Sequence, residues 1–148
     1  MQNSEIARAF EDLADLLEID GANAFRLRAY RNATRMIAEL PESMTAIVED
    51  TERSPDEFPG IGEDLAKKIE TLVKTGSLPQ LEEMRKKIPP GVVEMLRLPG
   101  MGPKKAAVLF HELSITTLEE LKQAAEQQQI RELKGFGKKT EESILEGL

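Results

Sequence analysis

A five-residue pattern with two glycines occurs three times in the chain, and no other feature restricts the possible folds as strongly. It consists of an apolar residue, any residue, glycine, a second apolar residue and a second glycine. The copies occupy residues 58–62, 98–102 and 133–137. Apolar residues with helical spacing follow each copy, and the glycines permit backbone conformations that a side chain would block. Each copy therefore predicts a tight turn that opens a helix.

A helix that starts directly after a turn offers its unpaired N–H groups, and the positive end of its dipole, to an anion. Plain turns between packed helices would use the same glycines, but three copies in one frame favour contact with DNA phosphates. The predicted DNA-binding residues are the glycines of the turns and nearby lysines: Gly60, Gly62, Lys67, Lys68, Gly100, Gly102, Lys104, Lys105, Gly135, Gly137, Lys138 and Lys139.

The charge of the chain is only partly compatible with such contacts. The 148 residues have a formal net charge of −7, from 20 basic and 27 acidic side chains. Residues 1–57 carry this excess, with 6 basic and 13 acidic side chains, and within them Arg28 and Arg35 are expected on a solvated, salt-bridged helix face. DNA binding should therefore be local and sensitive to salt. The acidic first third also keeps open a helical adaptor that binds another protein.

The remaining pattern predicts an all-α fold of two small helical subdomains. Asn3 or Ser4 is the expected cap of the first helix, and Gly21 its end. Further helices are expected over about residues 25–40, 43–49, 63–74, 78–86, 92–97, 103–113, 117–125 and 138–148. The sequence Pro89-Pro90-Gly91 is the predicted boundary between the subdomains.

Composition excludes several classes of protein. The chain has no cysteine, so it forms neither disulfides nor cysteine-ligated zinc sites. No apolar run approaches the roughly 20 residues of a membrane span, and the N-terminus lacks the pattern of a secretory signal. We therefore expect a cytoplasmic protein with no membrane contact, associated with the nucleoid in a prokaryote. The single histidine, His111, has no matching Asp or Cys partners and is expected to have a surface or packing role rather than a metal-binding or catalytic one.

The repeated pattern resembles the helix-hairpin-helix motif, although Glu141 replaces the small residue expected in the third copy. The whole chain resembles the N-terminal part of a bacterial or archaeal family X DNA polymerase, a relative of DNA polymerase beta. The segments that carry this resemblance are residues 16–18, 25–31, 58–69, 75–78 and 98–106. The resemblance implies a lyase-type domain at residues 1–88 and a fingers-like subdomain at residues 89–148. It further implies a monomer that binds gapped or nicked DNA in base excision repair.

The same resemblance bears on enzymatic activity. The family's polymerase reaction uses Mg²⁺ bound by carboxylates of a palm domain that these residues do not form, so this segment alone requires no cofactor and is not expected to polymerise. Removal of a 5′-deoxyribose phosphate by a lyase reaction is an alternative function. Lys68 matches the lysine that attacks the sugar aldehyde. The adjacent cation Lys67 and partial desolvation are expected to lower the pKa of the Lys68 amine.

The resemblance also identifies two kinds of binding position. Arg26, Tyr30 and Arg31 match a pocket for a 5′-phosphate, whereas Asp64 and Gln80 stand where lyase members of the family have lysines. The hairpin loops of the family can hold Na⁺ or K⁺ through main-chain carbonyl groups. The matching carbonyls belong to Asp56, Phe58, Ile61, Leu96, Leu98 and Met101.

Overall fold

The computed structural model describes residues 1–148 and contains helices but no strand, which confirms the predicted all-α fold. No helix is long and apolar enough to cross a lipid bilayer. The α-helices are α1 (Asn3–Ile19), α2 (Ala24–Glu39), α3 (Met44–Glu49), α4 (Glu63–Thr75), α5 (Pro79–Lys87), α6 (Pro90–Met95), α7 (Pro103–Leu113), α8 (Leu118–Glu126) and α9 (Lys138–Gly147). Short 3₁₀ turns at Pro55–Glu57 and Ile130–Glu132 precede the first and third glycine patterns.

The chain divides into two compact units. Unit 1 comprises Met1–Leu17 and Ala22–Met84, and unit 2 comprises Glu18–Gly21 and Arg85–Leu148. The change from one unit to the other thus falls within α5, a few residues before the predicted boundary at 88 and 89. The assignment of a lyase-type domain and a fingers-like subdomain to the two parts of the chain stays a prediction.

Each unit has its own core of aliphatic side chains. The apolar side chains that recur with helical spacing along α1 are buried. Side chains that are buried in unit 1 include Ile6, Phe10, Leu13, Tyr30, Ile37, Met44, Ile47, Ile69 and Leu72. Side chains that are buried in unit 2 include Val92, Met95, Ala106, Leu109, Leu121, Ala125, Ile130 and Ile144. These cores hold the three glycine turns at the ends of packed helices.

The sequence Pro89-Pro90-Gly91 is the start of a helix and is packed within unit 2. Pro90 occupies the first position of α6, where its missing N–H is not needed. A Cβ atom on Gly91 would lie 2.1 Å from the carbonyl oxygen of Thr116. Glycine is therefore required here because two backbone segments approach closely. The sequence pattern Pro-Pro-Gly indicated a domain boundary instead.

The ends of α1 differ in how well the sequence predicted them. Gly21, with a φ of +93°, ends the helix as expected: its N–H donates to the Glu18 carbonyl, and the Ala22 N–H donates to the Leu17 carbonyl. Asn3, in contrast, does not cap α1. It is the first residue of the helix, and its Oδ1 accepts a 2.8 Å hydrogen bond from the Met44 N–H at the start of α3.

Candidate nucleic-acid interface

The three glycine patterns form the same turn. In each, the N–H of the fourth residue donates to the carbonyl of the first at 3.0 to 3.2 Å. The middle glycines have positive φ angles of +88°, +76° and +86° at Gly60, Gly100 and Gly135. This combination is typical of a type II turn, in which only the third residue takes a positive φ. Proline at the second position of the first two copies fits the same turn.

The second glycine of each copy precedes a helix that no side chain caps. Gly62, Gly102 and Gly137 have extended backbones and stand directly before α4, α7 and α9. Three other helices start at a side-chain cap: Asn23, Ser43 and Thr117 accept hydrogen bonds from the N–H groups of α2, α3 and α8. The first-turn N–H groups of the three hairpin helices therefore lack this acceptor and can donate to an external anion.

The first hairpin neutralises its own lysines. Glu63 and Asp64 occupy the first turn of α4, and each pairs with the lysine four residues later. Lys67 Nζ lies 3.4 Å from Glu63 Oε1, and Lys68 Nζ lies 2.6 Å from Asp64 Oδ2. This hairpin is therefore the least suited of the three to hold a phosphate.

The second hairpin presents unpaired positive charge. Lys104 is exposed in the first turn of α7. Lys105 is partly buried, with its Nζ 6.0 Å from the centre of the Phe136 ring in the third hairpin. Lys105 also lines a cavity of about 310 Å³ together with Thr140 and Ser143 of α9. The two neighbouring lysines thus differ: Lys104 is available to a ligand in solution, whereas Lys105 also joins hairpins two and three.

The third hairpin is tied to its helix by an internal ion pair. Glu141 is 1% exposed and accepts hydrogen bonds from the Arg131 N–H at 2.9 Å and from its guanidinium at 2.7 and 3.0 Å. Burial raises the pKa of Glu141, but the hydrogen bonds and charge of Arg131 outweigh it and leave the pKa below its usual value. Lys138 and Lys139 remain exposed at the start of α9. Glu141, which replaces the small residue of the motif, therefore links α9 to the segment around Arg131 that precedes the turn.

The pocket around Lys68 brings together four of the residues singled out in unit 1. The hydroxyl of Tyr30 donates to Gln80 Oε1 at 3.2 Å, and Lys68 Nζ lies 5.9 Å from the centre of the Tyr30 ring. Asp64, Lys68 and Gln80 line a cavity of about 270 Å³. Burial lowers the pKa of the Lys68 amine, but its hydrogen bond to Asp64 and the influence of Tyr30 leave it raised. The expected lowering of this pKa is wrong, because Asp64 stabilises the charged form.

Arg31 and Arg26, the other two residues of the expected phosphate pocket, have different surroundings. Arg31 donates to Asp15 of α1 at 2.7 Å. The side chain of Arg26 is exposed, and its backbone N–H donates to the cap residue Asn23. Contacts thus join Tyr30 to Lys68, whereas the exposed side chain of Arg26 forms no hydrogen bond or ion pair with either.

The exposed face of α2 differs from its prediction. Arg28 and Arg35 are exposed and form no ion pair, so the expected salt bridges are absent. Phe25 lies on the same helix with 81% of its surface exposed. Sequence reasoning missed Phe25, although an aromatic residue among arginines is a signal that could have found it.

The remaining predicted positions have simple surroundings. His111 lies at the surface, in line with the expected surface or packing role, and its Nε2 is 2.7 Å from the Ile19 carbonyl oxygen within unit 2. The carbonyls of Phe58 and Leu98 each accept the hydrogen bond that closes a turn, and a carbonyl oxygen keeps a second lone pair. Oxygen ligands suit hard cations, so the residues present fit a monovalent ion chemically. The cation site itself stays a prediction.

Comparison with known proteins agrees with this geometry. A helix-hairpin-helix domain matches residues 1–78, and a SAM-like helix-hairpin-helix tandem matches residues 92–148. The chain therefore belongs to the helix-hairpin-helix domain family. Over all 148 residues it is 36% identical to the N-terminal part of the DNA polymerase/3′-5′ exonuclease PolX of Bacillus subtilis (strain 168), a family X DNA polymerase, which confirms that resemblance. The chain spans about a quarter of the length of this relative, 25%.

Proposed function

We propose that this chain binds the phosphate backbone of DNA without reading its sequence, as the N-terminal part of a family X DNA polymerase. One observation carries the proposal: the three helices that follow the glycine turns are the ones that start at an uncapped glycine. The relative of the whole chain is named a DNA polymerase and exonuclease, which supports DNA as the ligand. The polymerase reaction is proposed only for a longer protein of this kind.

The second hairpin is the principal phosphate contact in this proposal. Its uncapped helix start and exposed Lys104 provide N–H donors and a free cation at one place. The third hairpin adds Lys138 and Lys139, whereas the first contributes backbone donors beside paired charges. Because each lysine that contacts a phosphate releases condensed counterions from the DNA, the affinity should fall as salt rises.

The test is a salt titration of binding to a short duplex, with two matched variants. Lys104→Glu and Lys122→Glu each reverse one exposed lysine of unit 2, but only Lys104 lies at a hairpin. We expect Lys104→Glu to weaken binding to all sequences alike and to reduce the salt slope by about 1. Lys122→Glu should bind as the wild type does. Absence of binding at low salt, or equal effects of the two variants, would contradict the proposal.

A finer part of the proposal is that gapped or nicked DNA, as found in base excision repair, is the preferred form. Two units with separate hairpins could hold DNA on either side of a gap. Gapped, nicked and intact duplexes of equal length would be compared in one competition assay. Stronger binding of the gapped duplex supports the repair role, and equal binding opposes it. An adaptor would instead bind none of these while retaining a protein partner.

Lys68 supports a second candidate function, the lyase reaction. Its side chain is 20% exposed at the edge of the 270 Å³ cavity. In this reaction the neutral amine adds to the sugar aldehyde and loses water to form an imine, which borohydride reduces to a stable amine. The ion pair with Asp64 opposes it by keeping the amine charged. Trapping that Lys68→Ala abolishes would support the reaction, whereas no trapping, or trapping that survives in Lys68→Ala, would exclude Lys68 from it.

A further inference from the structure

A cavity of about 310 Å³ lies between the turn of the second hairpin and helix α9. It is called the hairpin cavity below, and the residues that line it include Pro99, Met101, Lys105, Thr140, Ser143 and Ile144. Lys104, the proposed contact of the duplex backbone, is not among them. Small-molecule sites in proteins measure roughly 300 to 1,000 Å³. A single phosphate group is much smaller than this, so the hairpin cavity has room for a larger ligand.

One face of α9 forms a wall of the hairpin cavity. Thr140, Ser143 and Ile144 are three and four residues apart, so they lie on the same side of the helix. Gly147 continues this side, and a Cβ atom on it would lie 3.3 Å from side chains of the second hairpin turn. The wall is therefore held in place by close packing of α9 against the hairpin within unit 2.

Three polar side chains of the hairpin cavity have no hydrogen-bond or ion-pair partner in the protein. Lys105 forms no ion pair, and its Nζ lies 6.0 Å from the centre of the Phe136 ring, a contact that leaves its N–H groups free to donate. The hydroxyls of Thr140 and Ser143 form no hydrogen bond with another residue. One cation and two hydroxyl donors are therefore available to a single ligand.

No carboxylate opposes the positive charge of the hairpin cavity. Glu141 follows Thr140 in the chain, but it is 1% exposed and its carboxylate accepts hydrogen bonds from Arg131. Glu142 and Glu146, the other acids of α9, do not line the cavity. The cavity therefore has a net positive charge, which favours an anionic ligand.

The remaining wall of the hairpin cavity is apolar. Met101 and Ile144 are buried side chains whose surfaces face the cavity beside the exposed Pro99. The thioether of a methionine makes favourable contacts with aromatic rings, so this wall suits a planar base. An apolar wall with a few convergent polar groups is typical of a small-molecule site. The cavity therefore accommodates a ligand that combines an anionic group with a planar ring.

We propose that the hairpin cavity binds a mononucleotide. Its phosphate monoester contacts the lysine and the two hydroxyls, and its base packs against Met101 and Ile144. Such a phosphate occurs on a free nucleotide and at the phosphorylated end of a DNA strand, whereas internal phosphates of a duplex stay with the hairpin N–H groups and Lys104. The choice of a nucleotide among phosphate esters rests on the proposed DNA-binding function.

Thymidine 5′-monophosphate is the probe, and the whole 148-residue chain is observed by NMR after isotope labelling. We expect saturable shifts of the amide signals of Lys105, Thr140 and Ser143. Thymidine lacks the phosphate, and inorganic phosphate lacks the sugar and base, so each should bind at least about tenfold more weakly. Absence of saturable binding, shifts confined to unit 1, or equally strong binding of inorganic phosphate would overturn the proposal.

Two variants test the hairpin cavity directly. Ser143 is exposed at its edge, so Ser143→Leu should fold while it fills part of the cavity. Its affinity for the nucleotide should fall at least about tenfold, as should that of Lys105→Gln, which loses the charge. Glu142→Leu is the matched control, because it places the same side chain on α9 outside the cavity.

Circular dichroism verifies that the three variants are folded. Equal effects of Ser143→Leu and Glu142→Leu, or unchanged nucleotide binding in Lys105→Gln, would overturn the proposal.

Competition experiments identify the source of the nucleotide. If a linear duplex with 5′-phosphate ends displaces the probe, strand ends enter the cavity, and if it does not, a free nucleotide is the ligand. Either result supports a nucleotide site. A dumbbell duplex, closed by loops at both ends, has internal phosphates but no strand end. Displacement by the dumbbell that equals displacement by the linear duplex would show that backbone phosphates occupy the cavity and would overturn the proposal.

The outcomes separate this site from the proposed DNA-binding function. If the wild type binds duplex DNA but not the nucleotide, only the hairpin cavity proposal fails. If it binds the nucleotide in the cavity but no duplex, the DNA-binding function fails and the nucleotide site stands. If it binds neither, both fail.

Discussion

The charge state of Lys68 depends on one carboxylate. Asp64 lies one helical turn earlier, and its Oδ2 is 2.6 Å from Lys68 Nζ. A reactive amine needs surroundings that favour its neutral form, and here the nearest charge favours the ammonium. The sequence showed that an acid stands where lyase members of the family have a lysine. Its pairing with Lys68 depends on side-chain conformations that the sequence alone does not specify.

Asp64→Asn should lower the pKa of the Lys68 amine. The substitution removes the negative charge that stabilises the ammonium form, while burial and its desolvation of the amine remain. An NMR titration that follows the Lys68 side chain measures the change. Glu63→Gln is the control, because Glu63 pairs with Lys67 and should leave the titration of Lys68 unaltered. An unchanged or raised pKa in Asp64→Asn would show that the ion pair does not control Lys68.

The motif does not predict the structural role of Glu141. A glutamate in place of a small residue weakens the match to the repeat, yet its carboxylate accepts three hydrogen bonds from Arg131. Only the folded chain shows that Arg131, ten residues earlier, supplies those donors. The ion pair with Arg131 therefore stabilises the glutamate that replaces the small residue of the motif.

Glu141→Gln should lower the free energy of unfolding at neutral pH, because a neutral amide binds Arg131 less strongly than a carboxylate does. The folded-state pKa of Glu141 is lowered, so its contribution is complete above the unfolded pKa and is lost as pH falls through the folded value. The difference from the wild type should thus shrink below about pH 4.5. Urea unfolding across acidic pH measures it, with exposed Glu142→Gln as control. A difference that does not vary with pH would contradict this assignment.

At the scale of the element, the turns were the most predictable part of the fold. Their glycines, prolines and apolar residues specify backbone conformation locally, and the helix starts at Gly62, Gly102 and Gly137 agree with the prediction. The predictions were wrong at residues that contact a segment far away in the sequence. Asn3 binds the start of α3, and Gly91 meets the backbone of Thr116, both over separations that periodicity does not detect.

Three glycine-to-alanine variants of unit 2 should differ in stability for separate reasons. Gly91→Ala should be the most damaging, because its Cβ would lie 2.1 Å from a backbone oxygen. Gly100→Ala should cost about 1 to 2 kcal/mol, since its φ of +76° is unfavourable for a side chain although space is available. Gly102→Ala has neither problem and should be nearly neutral. Chemical denaturation gives the order, and an equal cost at Gly100 and Gly102 would refute the turn assignment.

At the scale of the whole molecule, the sequence predicted two helical parts but placed the boundary between them at a different residue. The predicted boundary used a proline-glycine signal, which proved to be a helix start, whereas the units change within the continuous helix α5. Residues Glu18–Gly21 also belong with the later part of the chain. Such an exchange depends on contacts between segments far apart in sequence, which local composition does not encode.

Tyr30 makes the unfolding of unit 1 visible in the intrinsic fluorescence of the protein. It is the single tyrosine of a chain without tryptophan, and it is buried in unit 1, where its hydroxyl binds Gln80 and its ring centre lies 6.3 Å from that of Phe10. Intrinsic emission should therefore report the unfolding of unit 1 alone, whereas far-ultraviolet dichroism reports the helices of both units. Coincident transitions from the two signals would indicate one cooperative unit. Separate transitions would give each unit its own melting curve without any added label.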